Sequence, residues 1–414
     1  MEQRSHALAI LTVAAVARLL TLWFVIVNFP HRWLYSRGIE LGTLAQSIVA
    51  GKGLSSPFGG STGPTALLAP GYPAVVALLF RIFGSFSFAA AIALMAIQVL
   101  LSLATVMVIM HIARSNFGTR AANVAGTFWA LSLPLIWMPT IFWDTCLCTL
   151  LLLGMVALAL RSVRTPSLLV WALMGAYTGL AALVNPVLLL PLLAMMGWAA
   201  WQTRNISLYY PAVSQLVLLL VFAPWPIRNA FVLHAFIPLR STVGFELWVG
   251  NRAEGNGYLD ESVFPIFNPR ELNDYVAKGE VAYMDNKSTL AKEYIRSHPT
   301  GFLKLSMVRV VRFWTGSGGK DGPAIFVIHA VLTTSLGLVG IWYLFKSRRF
   351  SLAILFILPL ALFPLPYYIT HAEFRYRLVI DPLLTILAGY AVSECISSFK
   401  FKRKGPTPSV HSTL

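Results

Sequence analysis

Apolar runs of about twenty residues recur from one end of this 414-residue chain to the other. In hydrocarbon, every backbone N–H and C=O has to find its partner within the structure, so runs of this length leave helices as the only practical fold. They lie near 7–28, 86–113, 121–139, 142–160, 167–184, 187–202, 207–225, 323–345, 350–369 and 377–397, about ten in all. Ala7–Val27 is longer than a signal-peptide core and lacks a small-residue cleavage site, so it reads as a retained span. The expected fold is an all-α polytopic membrane protein, with amphipathic helices in the first outer loop and a small extracytoplasmic α-rich segment.

Composition agrees, with 57% hydrophobic and 12% charged residues. A net charge of +16 invites a nucleic-acid partner, yet the Lys and Arg residues fall in short clusters between apolar runs and read as topology signals. No nucleic acid is expected. Cys146, Cys148 and Cys395 all lie inside apolar segments, which implies no disulfide framework.

Short basic loops stay cytoplasmic. With a cytoplasmic N-terminus and ten spans, Arg114–Arg120, Arg161–Arg164, the region of Arg204, Lys346–Arg349 and Lys400–Lys404 all land inside. Both termini are then cytoplasmic, in a plasma membrane. Asn28–Ser85, Arg228–Gly322 and Tyr367–Arg377 share the outer side. The chain divides into a transmembrane module, 1–228, with its first outer loop at 29–85, an outer cap at 229–322, C-terminal spans at 323–400 and a disordered tail at 401–414. Asn268-Pro269 reads as a helix start in the cap.

The outer segments hold the chemistry. Glu40 begins a short amphipathic run, Ile39–Ala50, where a carboxylate at the membrane surface can act as general base; a solvated helix-start carboxylate is the equal alternative. The Gly/Pro-rich stretch from Gly51 to Pro73, which includes Tyr72, can bring backbone N–H groups to a phosphate or sugar, or serve as an ordinary connection. Arg228, in Pro224-Trp225-Pro226-Ile227-Arg228-Asn229, pairs with a lipid phosphate or snorkels to headgroups. In His371-Ala372-Glu373-Phe374-Arg375-Tyr376-Arg377, two outward arginines run against the charge rule and can neutralise a phosphate. His371 is equally a satisfied surface histidine or a proton carrier or metal ligand. Asp144 orients substrate or caps a helix, and Arg18 reaches an interface or an acid within the first span. Asn286-Lys287-Ser288 matches a glycosylation sequon.

Taken in order, Gly38-Ile39-Glu40, Gly63-Pro64-Thr65-Ala66, Pro70-Gly71-Tyr72-Pro73, Pro224 to Asn229, Pro238-Leu239-Arg240-Ser241-Thr242 with Gly250-Asn251, His298 to Trp314, and Arg375-Tyr376-Arg377 before Pro382 resemble the GT-C superfamily of membrane glycosyltransferases. The likeness is to its ArnT-like and protein O-mannosyltransferase branch. The resemblance implies an inverting enzyme that draws on a polyprenyl-phosphate sugar donor and delivers to an extracytoplasmic lipid, glycan or protein. It makes Glu40 the catalytic base, places Arg228, Arg375 and Arg377 on the donor phosphate, and offers Asp144, Tyr72, His371, Tyr376 and Arg240 for substrate binding. Where relatives carry a second charged residue in the first loop, this chain has Gly63-Pro64-Thr65-Ala66, so neither a required divalent metal nor another cofactor is expected. A transporter or flippase of lipid-linked saccharide, or a ligase or polymerase using lipid-pyrophosphate-linked oligosaccharide, is the competing reading. Ionisable residues gathered at one face, with no inverted repeat, favour the enzyme.

Overall fold

The structure is a computed structural model that describes residues 2–29, 39–205, 207–317 and 323–403. Gly38 of the first-loop motif, the stretch 318–322 and the tail from 404 onward lie outside the described residues. Among those described there are helices and one isolated bridge, Ser55 to Pro64, but no strand.

In chain order the helices are α1 (Glu2–Asn28), α2 (Ile39–Val49), α3 (Gly71–Phe83), α4 (Phe88–Phe117), α5 (Thr119–Leu131), α6 (Leu133–Trp137), α7 (Thr145–Arg164), α8 (Leu168–Val184), α9 (Leu189–Gln202) and α10 (Tyr209–Phe222). They continue as α11 (Pro224–Leu233), α12 (Val243–Gly250), α13 (Pro269–Lys278), α14 (Glu280–Ser297), α15 (Pro299–Thr315), α16 (Ala324–Lys346), α17 (Phe350–Leu362), α18 (Leu365–Ile369), α19 (Phe374–Arg377) and α20 (Asp381–Arg403). A helix stands at each expected span. By length and composition, however, six segments among the described residues can cross a membrane alone, and a seventh does so if the pair α5–α6, bent by 62°, is counted as one. The count of ten is therefore not reached on these criteria. Leu168–Val184, at 17 residues, rises about 25 Å, short of a hydrocarbon core of about 30 Å.

The bend between α5 and α6 has a local cause. Pro134 has no N–H to give the carbonyl of Ala130, and the turn leaves the end of α5 short of donors. Arg18, 1% exposed in α1, supplies them, donating to the carbonyls of Trp129 (3.2 Å) and Ala130 (3.4 Å) and to Ser102 Oγ (2.7 Å). Of the two roles open to Arg18, neither holds: it closes a helix break.

Small residues let the spans approach closely. A Cβ on Gly340 would stand 2.3 Å from the carbonyl oxygen of Leu387, and one on Gly389 would stand 2.6 Å from that of Ala121, so α20 is wedged between α16 and α5. Gly175 and Gly179 do the same for α8 against α10. The resulting core runs through α4, α5, α7, α9, α17 and α20.

Helices α12 to α15 form the cap, with a smaller core of Phe245, Val249, Tyr275, Tyr283 and Met284 closed over Phe58 and Leu67 of the first loop. Asn268 caps α13 as expected, its side chain accepting from the amides of Arg270 and Glu271. The cap is also tied to the first loop by polar contacts. Glu280, 5% exposed, accepts from Ala66 N (2.7 Å), Tyr275 Oη (2.8 Å) and Thr65 Oγ1.

Candidate active site

Glu40 sits in the first turn of α2, which packs on α3 through Leu41, Ala45, Tyr72 and Val76. Thr43, one turn on, donates to the carbonyl of Pro57 at 2.5 Å, which ties α2 to the glycine-rich loop. That loop folds back as a narrow hairpin, with Ser56 N donating to Gly63 O (2.7 Å) and Thr65 N to Leu54 O (3.1 Å). Its tip turns through Gly59 and Gly60 at φ of 83° and 64°, which a side chain would strain.

The Glu40 carboxylate is met by its own backbone N–H, which favours the ionised form. Burial raises its carboxyl above the usual range; the negative charge of Glu246 adds to this, and Arg375 opposes it. Arg375 lies against Trp143 and Tyr376, its Cζ 4.8 Å and 5.0 Å from their ring centroids, and donates from Nε to Glu373 at 2.7 Å. Tyr376 in turn stacks on Tyr367 at 4.3 Å. A cation held between aromatic faces keeps its charge in a fixed place.

Glu246, on α12, is bonded to His371 Nε2 at 2.7 Å. Burial works against its ionisation, but the hydrogen bond and charge of His371, with Arg240 and Arg375 behind, hold it below the usual carboxylate range. Asp144 stands before the first turn of α7 without capping it; its Oδ2 accepts from Asn185 Nδ2 at 2.9 Å. Burial, the largest influence, raises Asp144 despite the hydrogen bonds from Cys148 and Asn185 and the charges of Arg240 and Arg375. Tyr72 Oη, Trp143 Nε1 and His371 Nδ1 are buried with no hydrogen-bond partner in the structure. Two unspent donors, Tyr72 Oη and Trp143 Nε1, and a free ring nitrogen of His371 suit an oxygen-rich ligand.

The structure thus brings Glu40, Asp144, Tyr72, Arg240, His371, Arg375 and Tyr376 to one end of the bundle. Arg240 comes with one nitrogen spent, its Nε donating to Leu67 O at 2.9 Å. Two expected phosphate ligands are engaged elsewhere. Arg228 donates to the carbonyls of Thr65 (2.7 Å) and Leu54 (2.8 Å), so it braces the hairpin from the span side. Arg377, fully buried, pairs with Asp381 and donates to Ala330 O (3.0 Å), Thr333 (2.7 Å) and Thr334 (2.8 Å), while His329 joins Asp381 to Ser132. One residue apart, Tyr376 stacks on Tyr367 while Arg377 turns to Asp381.

Sequence reasoning passed over Glu246, Asn185, Glu280 and Arg309. Arg309, buried in α15, donates to Ile369 O (3.3 Å), Asn251 Oδ1 (3.1 Å) and Gly250 O, and Asn251 Nδ2 donates to Ile369 O at 2.8 Å. This clasp joins the end of α12, which carries Glu246, to the end of α18, which leads to His371. Asn251 stands in a motif the sequence does offer, Gly250-Asn251, but its partner is far away in the chain. Among the described residues no three His, Cys, Asp or Glu side chains converge to hold a metal ion. Glu246 is bonded to His371 through Oε2, and Asp144 to Asn185 through Oδ2.

Residues 68–227 match the family model of dolichyl-phosphate-mannose-protein mannosyltransferases. No curated protein matches the chain by sequence. Among solved structures, the apo oligosaccharyltransferase of Archaeoglobus fulgidus aligns over 96% of this chain at 14% identity and a TM-score of 0.55. The archaeal oligosaccharyltransferase AglB of the same organism, in complex with an inhibitory peptide and a dolichol-phosphate, aligns over 96% at 13% identity and 0.51. The chain spans about half of each, 51%. ArnT from Cupriavidus metallidurans, bound to undecaprenyl phosphate, aligns over 97% of this chain and 81% of its own at 16% identity, with a TM-score of 0.39. The family model and the archaeal fold together bear out the resemblance to the GT-C superfamily.

Proposed function

We propose that the chain is an inverting glycosyltransferase that moves a sugar from a polyprenyl-phosphate donor to an acceptor on the extracytoplasmic side of a plasma membrane. One observation carries this reading: a desolvated carboxylate, Glu40, lies within reach of the charge of an aromatic-clamped guanidinium, Arg375. The fold supports it, since the archaeal oligosaccharyltransferase that shares it is seen with dolichol-phosphate, a lipid phosphate of the required kind.

In this mechanism the acceptor's hydroxyl or amine gives its proton to Glu40 as its lone pair attacks the anomeric carbon. The bond from that carbon to the phosphate oxygen breaks on the opposite face, so the configuration inverts. Its electron pair stays on the lipid phosphate, where Arg375 and the free nitrogens of Arg240 meet the growing charge. Asp144, held by Asn185, the unspent donors of Tyr72 and Trp143, and the free ring nitrogen of His371 take the sugar hydroxyls. Arg228 and Arg377 act through structure.

The test is transfer from a radiolabelled polyprenyl-phosphate sugar by the full chain in membranes. Glu40→Gln keeps size and polarity but removes the base, so transfer should fall by roughly 10²- to 10⁴-fold while donor binding persists. Undiminished transfer by the Gln variant would remove Glu40 from the chemistry. A lipid-linked sugar that builds up on only one side of the membrane in cells lacking the protein, without loss of any glycosylated product, would instead favour transport.

A further inference from the structure

The end of the bundle away from Glu40 carries a second feature. Asp144 and Arg164 flank the same 20-residue helix, α7, so they stand about 30 Å apart. Around Arg164 lies a cavity of ≈ 370 Å³ lined by Arg164, Arg348 and Arg349, by Asn116 and Trp198, and by apolar walls that include Leu352. No Asp or Glu is among its lining residues.

Three cationic loops meet there in a defined way. Arg164 Nη2 donates to Asn116 Oδ1 at 2.9 Å and Arg349 Nη1 to the carbonyl of the same residue at 2.8 Å, so one asparagine gathers the ends of α4, α7 and the α16–α17 turn. Arg349 also lies over Phe117, with Cζ 5.2 Å from the ring centroid. Arg348 adopts a left-handed backbone, φ 56°, a conformation that costs a non-glycine residue. Topology requires only that charge be present in these loops. It does not require that three guanidiniums converge on one cavity with apolar walls.

We propose that this cavity binds the phosphate of an anionic phospholipid from the leaflet at that end of the bundle. The guanidiniums match the phosphate in charge and fork geometry. Leu160, Val163, Phe350 and Leu352 offer the apolar surface that the glycerol and first methylenes need, and a free phosphate would leave that surface unused. Basic pockets between membrane helices recognise lipid head groups by this chemistry. The site is separate from the proposed catalytic centre and does not depend on it.

The full chain, purified in neutral detergent, would be titrated with dihexanoyl phosphatidylglycerol, with dihexanoyl phosphatidylcholine and with inorganic phosphate, reading the thermal midpoint and the lipid retained in native mass spectrometry. Phosphatidylglycerol should raise the midpoint and be retained one to one, and the other two should not. The double variant Arg164→Lys, Arg348→Lys keeps the charge that sets orientation but loses the forks, and its affinity should fall at least about tenfold. Arg120→Lys, on a neighbouring loop and outside the cavity, should bind as the wild type. Equal effects of the two lipids, equal protection by inorganic phosphate, or unchanged affinity in the double variant would each overturn the proposal.

Discussion

Glu40 and Glu246 share a site, and their neighbours drive their proton affinities apart. Burial and the charge of Glu246 raise Glu40, whereas His371 holds Glu246 down despite its own burial. A base that must be ionised to act therefore gives an acid limb above the ordinary glutamate value of about 4.3. Glu246→Gln takes a negative charge away from Glu40, which favours its ionised form. The acid limb of kcat/KM should move to lower pH, and a limb that stays in place would separate the two groups. The three outer arginines make a second contrast. Arg375→Ala should weaken donor binding by on the order of 1.5–3 kcal/mol, measured as the donor dissociation constant. Arg377→Ala strands Asp381 in the core and should lower stability by about 3–5 kcal/mol, read as a fall in the thermal midpoint. In the sequence the three look alike, because a guanidinium's destination is set by the carbonyls and acids that the fold brings near. Arg228 meets Leu54 and Thr65 from 174 and 163 residues away, a pairing no local pattern announces.

At the scale of elements, the site stands where segments are fastened together: α2 to the hairpin through Thr43, the hairpin to the cap through Glu280 and to α11 through Arg228, and α12 to α18 through Arg309. Burial and then the charge of Arg312 lower Arg309 to about 10, so it stays a cation at neutral pH and keeps all its donors. The α12–α18 joint leaves no space. A Cβ on Gly250 would stand 1.8 Å from the carbonyl oxygen of Thr370, so Gly250→Ala has to push the two segments apart. It should cost about 1–3 kcal/mol of stability and reduce kcat more than donor affinity, because His371 and Glu246 lose register while Arg375 stays clamped. A loss confined to donor binding would contradict this. Helix positions were legible from apolar runs, and the start of α13 from Asn268-Pro269. The joints were not, since each links residues remote in sequence. The bend at Pro134 was also missed as a bend: its apolar run continues unbroken from 121 to 139, and the donor that makes the break tolerable, Arg18, lies in another span.

At the scale of the whole molecule, charge and chemistry divide the bundle between its two ends. The basic loops at 114–120, 161–164 and 346–349 meet around Asn116, and the acidic and aromatic cluster lies at the far end of α7. Because the basic loops converge on one end, the charge bias predicts that this end is cytoplasmic and the Glu40 end outside. Labelling can test the orientation in a variant whose three native cysteines are replaced. Single cysteines at Ser61, Ser262 and Thr370 sample the hairpin, the cap and the α18–α19 turn; Ser55, in the same hairpin, is buried and unsuited. All three should react with an impermeant thiol reagent in intact cells, and a cysteine at Ser347, beside Arg348, should react only after permeabilisation. The proposed mechanism requires Ser61 and Thr370 to label from the same side, since it has Glu40 and Arg375 act on one donor molecule. If they labelled from opposite sides, the site itself would not exist in the membrane. If all three labelled only after permeabilisation and Ser347 in intact cells, the site would survive but would face the cytoplasm, and the acceptor would have to be sought there.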